Sequence, residues 1–143
     1  MLQLVRIDGA TPDGFDALRA EADAEGHRHM SRLAEELASG RTRFEALLGA
    51  YLDGDLVGIA GLTPEPAETP QPALRMRRLY VAQRARRSGV ASVLATALLQ
   101  EAWSKVGLVT VHAGSAEASA FWEALGFAAA RDRPWSHQLG REP

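Results

Sequence analysis

Between Leu2 and Ile7 the side chains divide by parity, Leu2, Leu4 and Arg6 against Gln3, Val5 and Ile7, which reads as a short first strand. From Phe15 the period changes. Phe15, Leu18 and Ala22, then Met30, Leu33 and Leu37, recur at helical spacing with Gly26 between the two sets. This predicts two helices over 12–24 and 27–38, the first capped by Thr11 with Pro12 in its opening turn, the second ended by Ser39-Gly40. Two apolar runs then flank Asp53-Gly54, a strong two-residue hairpin signal, and predict antiparallel strands over 44–51 and 56–62. "TPEPAETPQP", with four prolines in ten residues, reads as a surface loop. "ALRMRRLYV" predicts a fourth strand. Val90, Leu94, Ala97 and Leu98 predict a helix over 89–103. "GLVTVHAG" predicts a buried fifth strand, "SAEASAFWEAL" a helix stopped by Gly126, and "FAAARDRPWSHQL" one or two closing strands.

The order is therefore β-α-α-β-β-β-α-β-α-β, an α/β pattern in which antiparallel pairs dominate the first half. A strand-helix-strand unit over 74–113 requires a crossover between parallel strands. At 143 residues the chain fits one domain, expected to span 1–143. Neither a signal peptide nor an apolar run long enough for a membrane span is seen, and the expected location is cytoplasmic.

Composition changes this picture in two ways. The chain has no cysteine, so disulfides, thiolate metal sites and cysteine nucleophiles are excluded. No His/Asp/Glu spacing suggests a metal either. Net charge is −2, which argues against bulk nucleic-acid binding, yet six arginines (Arg75, Arg77, Arg78, Arg84, Arg86 and Arg87) fall within thirteen residues.

Part of that cluster, "RARRSGVASVL", lies between a strand and a helix. Arg86, Gly89 and Ala91 open the helix, where backbone N–H groups lack internal partners and the dipole end is positive. A phosphate binds well at such a place, and the small residues let it reach the backbone. A solvated basic turn capped by Ser88 is the other reading of the spacing alone. Neither the P-loop nor the dinucleotide glycine fingerprint is present.

The segment "LYVAQRARRSGVASVLATALL" resembles the acetyl-CoA-binding motif of the GNAT N-acetyltransferases, with Leu79-Tyr80-Val81 closing the strand and Arg86, Arg87, Ser88, Gly89, Val90 and Ala91 forming the loop. "SAEASAFWEALGF" is similar to the family's later motif, with Ser115, Ala118, Phe121, Trp122 and Gly126-Phe127 at its positions. The resemblance covers nearly the whole chain. It implies fourth and fifth strands that are parallel and splay apart, and acetyl-CoA as co-substrate in the gap. The pantetheine would pair with the backbone of Leu79, Tyr80 and Val81, and the pyrophosphate would sit on the amides of Arg87 to Ala91. Ser115, Phe121 and Trp122 would complete the cofactor site. The acceptor amine would attack directly, with no enzyme nucleophile.

The chain departs from the family in two places. Trp122 stands where many members carry a tyrosine acid, and "LRMRRLYV" lacks the carboxylate that some use as base. Tyr80 and His137 are the candidates for proton transfer, with His29 and His112 as further histidines of suitable chemistry. Strand alternation puts Arg75 and Arg77 on one face and Arg78 on the other. Arg75, Arg77, His27 and Trp135 are expected at the acceptor site, while Glu21, Glu25, Glu35 and Glu36 read as solvated helix faces. The expected partner is a small-molecule or peptide amine, not nucleic acid or membrane, and a homodimer is compatible with this. Two functions follow: acetyl transfer to an amine, or non-catalytic sensing of an acyl-CoA.

Overall fold

The computed structural model describes residues 1–141. Seven strands form one sheet in the order β1-β2-β3-β4-β5-β7-β6. They are β1 (Leu2–Arg6), β2 (Ala46–Leu52), β3 (Asp55–Pro64), β4 (Ala73–Val81), β5 (Leu108–Val111), β6 (Ala128–Ala129) and β7 (His137–Gly140). Four helices accompany them: α1 (Phe15–Ala24), α2 (His29–Ser39), α3 (Val90–Ala102) and α4 (Ala116–Ala124). The predicted α/β order is present, and the closing segment supplies two short strands.

The β2–β3 hairpin forms where the Asp-Gly step predicts it. Asp53 and Gly54 both have positive φ, 50° and 89°, as a two-residue turn between right-twisted strands requires. β3 is buried from Leu56 to Thr63, so it carries an unbroken apolar run rather than an alternation. α1 begins later than its sequence suggests. Thr11 and Pro12 do not open it; Pro12 starts a turn closed by Phe15 N–H on Pro12 O, and Thr11 precedes that turn. The Tyr51 hydroxyl donates to Asp13 O at 2.8 Å, so a contact with the distant hairpin, not local capping, sets the helix start.

The α1–α2 pair packs over β3 and β4, burying Phe15, Leu18, Ala22, Met30 and Leu33. α3 packs on β2, β3 and β4 through Val90, Leu94, Ala95, Leu98, Leu99 and Ala102. Together with the sheet these side chains make one core. No helix among the described residues is long and apolar enough to cross a membrane.

Among the described residues only one strand pair is parallel. β4 meets β5 at Ala73↔Leu108, Leu74↔Val109 and Arg75↔Thr110, and there the pairing ends. β4 continues to Val81 without β5, so the two strands diverge in a V whose apex is the Arg75–Thr110 pair. β4 also bulges. Its register against β3 moves from Gly61↔Arg77 to Ile59↔Tyr80, so Arg78 and Leu79 together oppose Ala60. Arg78 takes a left-handed φ of 61° there. The predicted alternation of arginines therefore holds for Arg75 and Arg77 and breaks at Arg78.

Candidate active site

The open edge of the V is backbone. Ala82 N–H donates to Val57 O at 2.7 Å, on the β3 side. Antiparallel parity then turns the N–H and C=O of Leu79 and Val81 toward the gap. One of these groups has a partner, since Arg86 Nε donates to Val81 O at 3.0 Å.

The strand leads through a single 3-10 turn, Gln83–Ala85, into the start of α3. Gly89 is the N-cap residue, with φ 85° and no side chain capping the helix. The first backbone bond of the helix is Val93 N–H on Gly89 O at 3.0 Å, so the N–H groups of Val90, Ala91 and Ser92 have no helical acceptor. Ser88, expected as a possible cap, instead donates its hydroxyl back to Ala85 O. Arg87 also has positive φ, 67°, which aims successive N–H groups into a common concavity. A Cβ built on Gly89 would meet nothing within 4 Å. The space in front of the helix is open, and its lining is positive.

Glu21 of α1 and Glu25, which closes that helix, hold this loop, so neither is merely a solvated helix-face charge. Glu21 and Glu25 are one helical turn apart. Glu21 accepts from Gln83 N–H at 2.7 Å and from the Tyr80 hydroxyl at 3.2 Å. Glu25 accepts from the Tyr80 hydroxyl and, bidentate, from Arg86 at 2.6 and 2.9 Å. The Arg86 guanidinium also lies 5.5 Å from the Tyr80 ring centre. Burial and the bond to Glu25 push the Tyr80 phenol above its ordinary value. The Arg86 and Tyr80 hydrogen bonds hold the Glu25 carboxyl down at about 2. Depression of a carboxyl stabilises the fold above its unfolded value near 4.5, and that stability is lost as pH falls toward about 2. The native protein is therefore expected to melt above a Glu25→Gln variant near neutral pH. Thermal scans should show the gap closing between pH 4.5 and about 2.

The apex of the V is polar. Glu65, whose side chain is 1% exposed, accepts from Arg75 at 2.8 and 2.9 Å and from the Thr110 hydroxyl at 2.8 Å. Glu65 belongs to the proline-rich loop read as surface; its neighbours on β4 and β5 bury it. Arg78, re-aimed by the bulge, forms a two-pronged pair with Glu36 of α2 at 2.8 and 3.0 Å, so Glu36 is no solvated face either. Between these pairs stands Arg77, whose Nε is buried with no partner among the described residues. His29 also buries an unpartnered Nδ1. Burial, with Arg78, His27 and Arg32 nearby, pushes its imidazolium below the ordinary histidine range. His27 is exposed, its ring 5.9 Å from Tyr80 and 6.2 Å from His29.

The α4 side holds the remaining expected residues. Ser115 caps α4, its hydroxyl accepting from Ala118 N–H at 3.1 Å. Trp122 is buried edge-on between half-buried Phe121 and Phe127, at 4.9 and 5.2 Å between ring centres. His137 is buried with both ring nitrogens engaged, by the Ser136 hydroxyl and the Glu123 carboxylate, each at 2.8 Å. Trp135 was expected to meet the acceptor, but it is only 2% exposed and its indole N–H is bonded to Gln138 at 2.9 Å. The residues missed by sequence pattern are Glu21, Glu25, Glu36, Glu65 and Thr110. Their only local signal was the one-turn spacing of Glu21 and Glu25.

The class is that of a mixed α/β sheet whose single parallel pair among the described residues opens toward an uncapped helix start. The model of the acetyltransferase (GNAT) family matches residues 12–127, and the chain belongs to that family. No curated protein matches it in sequence. A candidate acetyltransferase from Exiguobacterium sp. 255-15 superposes with TM-score 0.84 at 20% identity, over 98% of this chain and 93% of the other. An acetyltransferase of the GNAT family from Staphylococcus aureus Mu50 gives 0.72 at 10% identity, over 99% and 100%. The Y144F mutant of the toxin AtaT, bound to the C-terminus of the antitoxin AtaR and to acetyl-CoA, gives 0.76 at 13% identity, over 97% and 92%. At these identities the likeness is one of fold.

Proposed function

We propose that the chain transfers the acetyl group of acetyl-CoA to an amine by direct attack. The observation that carries this is the continuity of two hydrogen-bonding surfaces. The edge of β4 at Leu79 and Val81, free apart from the Val81 C=O held by Arg86, leads through one 3-10 turn to the uncapped start of α3. An extended amide chain suits the first and a pyrophosphate the second. That the AtaT toxin, of the same fold, is bound to acetyl-CoA supports the choice of ligand. The amides of Arg87 to Ala91 take the pyrophosphate, and the Arg87 guanidinium adds charge to the same concavity. Arg86 holds the loop to the end of α1 through Glu25.

An N–H of β4 at the bulge would stabilise the oxyanion that develops on the thioester carbonyl. The amine must be neutral to attack, so its proton has to be lost to solvent before or during the transfer. None of Tyr80, His137 and Trp122 is free to donate a proton to the departing thiolate. Tyr80 is committed to two carboxylates, His137 has both nitrogens engaged, and an indole is not a practical acid. The thiolate leaves to solvent.

Changing Trp122 to Phe is accordingly expected to leave turnover within about tenfold, far from the loss of about 10²–10⁴ that follows removal of a general acid. Steady-state kinetics at saturating acetyl-CoA checks this. The commitment of Tyr80 and Trp122 also favours a second reading, a module that binds acyl-CoA without turning it over. One experiment separates them. With no cysteine in the chain, a thiol-reactive dye reports only released CoA. Thiol release that depends on an added amine supports transfer; CoA binding with no release from a broad amine panel supports the sensor.

A further inference from the structure

Three guanidinium groups line the β4 wall at the point where the strands diverge, but only two carboxylates answer them. Arg75 is held by Glu65 and Arg78 by Glu36, each with a side chain 15% exposed or less. Arg77 lies between these pairs in sequence. It is half-buried, its Nε is out of contact with solvent, and no protein acceptor takes that proton among the described residues. A desolvated donor without a partner is costly. The cost is not offset from within the chain. Burial, followed by Arg78 and Arg75, works against the Arg77 charge more than Glu36 and Glu65 support it. Two of the three guanidinium groups have a carboxylate partner, and Arg77 keeps a buried Nε–H that no acceptor among the described residues takes.

The position of Arg77 says what meets that donor. Arg77 is two residues beyond Arg75, whose pairing with Thr110 is the last between β4 and β5. It precedes the bulge, so it shares the face of Arg75, and it precedes the free Leu79–Val81 edge offered to the pantetheine. The α2 side of this region adds His29, with its own buried and unpartnered nitrogen, and no further carboxylate pairs with either residue. An anion entering here would be placed beside the reacting end of the co-substrate. The fork of a guanidinium matches the two oxygens of a carboxylate or phosphate.

We propose that Arg77 binds an anionic group on the acceptor, so that the preferred substrate is an amine carrying a carboxylate or phosphate close to the nitrogen. This rests on acetyl transfer as the function of the site. It separates the three arginines: Arg75 and Arg78 build the wall, and Arg77 reads the substrate.

Matched amine pairs test it. Initial rates at saturating acetyl-CoA are measured for β-alanine against β-alaninamide, L-glutamate against L-glutamine, and phosphoethanolamine against ethanolamine. The acidic member of at least one pair is expected to show a kcat/KM at least tenfold higher, carried by KM. The pair in which this occurs tells carboxylate from phosphate. Arg77→Met is expected to erase the ratio by raising KM for the acidic member, and Arg77→Lys to restore part of it. Equal rates within every pair, or a ratio that survives Arg77→Met, overturns the proposal. If the methionine variant does not fold, the lysine variant and the native ratios still decide.

A second arm needs no turnover. Titration of the native protein and Arg77→Met with inorganic phosphate and with N-acetyl-β-alanine reads anion binding directly. Saturable binding that is lost in the variant, with no thiol released from any amine, keeps the anion site and removes the acetyl-transfer reading. Thiol release without preference for acidic amines does the reverse.

Discussion

A Gly89→Glu variant is expected to lose at least about thirtyfold in CoA affinity, on the order of 2 kcal/mol, by calorimetric titration. Two effects act together. A carboxylate placed on the open side of Gly89 enters the space where the pyrophosphate would sit, and it puts a negative charge against two more in a site built from N–H dipoles. The backbone adds to this. Gly89 has φ 85°, and holding an L-residue there costs roughly 1–2 kcal/mol, which disfavours the loop shape that aims the amides. Because a Cβ at this position touches nothing in the protein, the substitution does not overpack the fold. Gly89→Ala separates the two effects, since it carries the backbone strain without the charge, and it should lose distinctly less. Unchanged affinity in Gly89→Glu would falsify the placement of the pyrophosphate on the α3 start.

Glu65→Ala is expected to destabilise the fold by about 3–5 kcal/mol. The Glu65 side chain is 1% exposed and serves Arg75, Thr110 and the N–H of Ala67 at once. Its removal leaves the Arg75 guanidinium unpaired beside Arg77 and strands the Thr110 hydroxyl at the apex of the V. Repulsion between the two arginines then acts in a poorly solvated place. For a chain of this length the melting temperature should fall by on the order of 10 °C. Glu65→Gln, which keeps an acceptor but not the charge, should fall less. A drop of only a degree or two in the alanine variant would show that solvent reaches Arg75 and replaces the carboxylate.

These expectations differ in where their warrant lies. The Gly89 site is local: a strand, a turn, a glycine and a helix contiguous in sequence, and the hydrogen-bond needs of a helix start are the same in any fold. The Glu65 site is not. Its partners come from β4, ten residues on, and from β5, forty-five residues on. A glutamate flanked by prolines has the local marks of a surface loop, and nothing within its window distinguishes a buried carboxylate from an exposed one. Trp135 shows the converse. Placed by sequence near the acceptor, it turned out to have its indole folded onto Gln138 and away from solvent.

What the sequence determined by itself is the set of elements whose cause is short-ranged. Asp53-Gly54 carries its own turn geometry, the period-2 and period-3.6 runs choose strand or helix, and Gly89 opens α3 without a cap. Those also place the free edge and the helix start in line, because they are consecutive. Tertiary structure decided which charges matter. The Glu25–Tyr80 and Glu36–Arg78 contacts join residues 55 and 42 positions apart, across the interface between α1–α2 and β4. The bulge that sends Arg78 to Glu36 is a misfit between two strands, invisible to alternation within one. Whether a charge is solvated, paired or left over depends on what the fold brings within a few ångströms and how much water it removes. That is why three arginines alike in sequence end as two braces and one side chain with an unpartnered Nε two residues beyond the last β4–β5 pair.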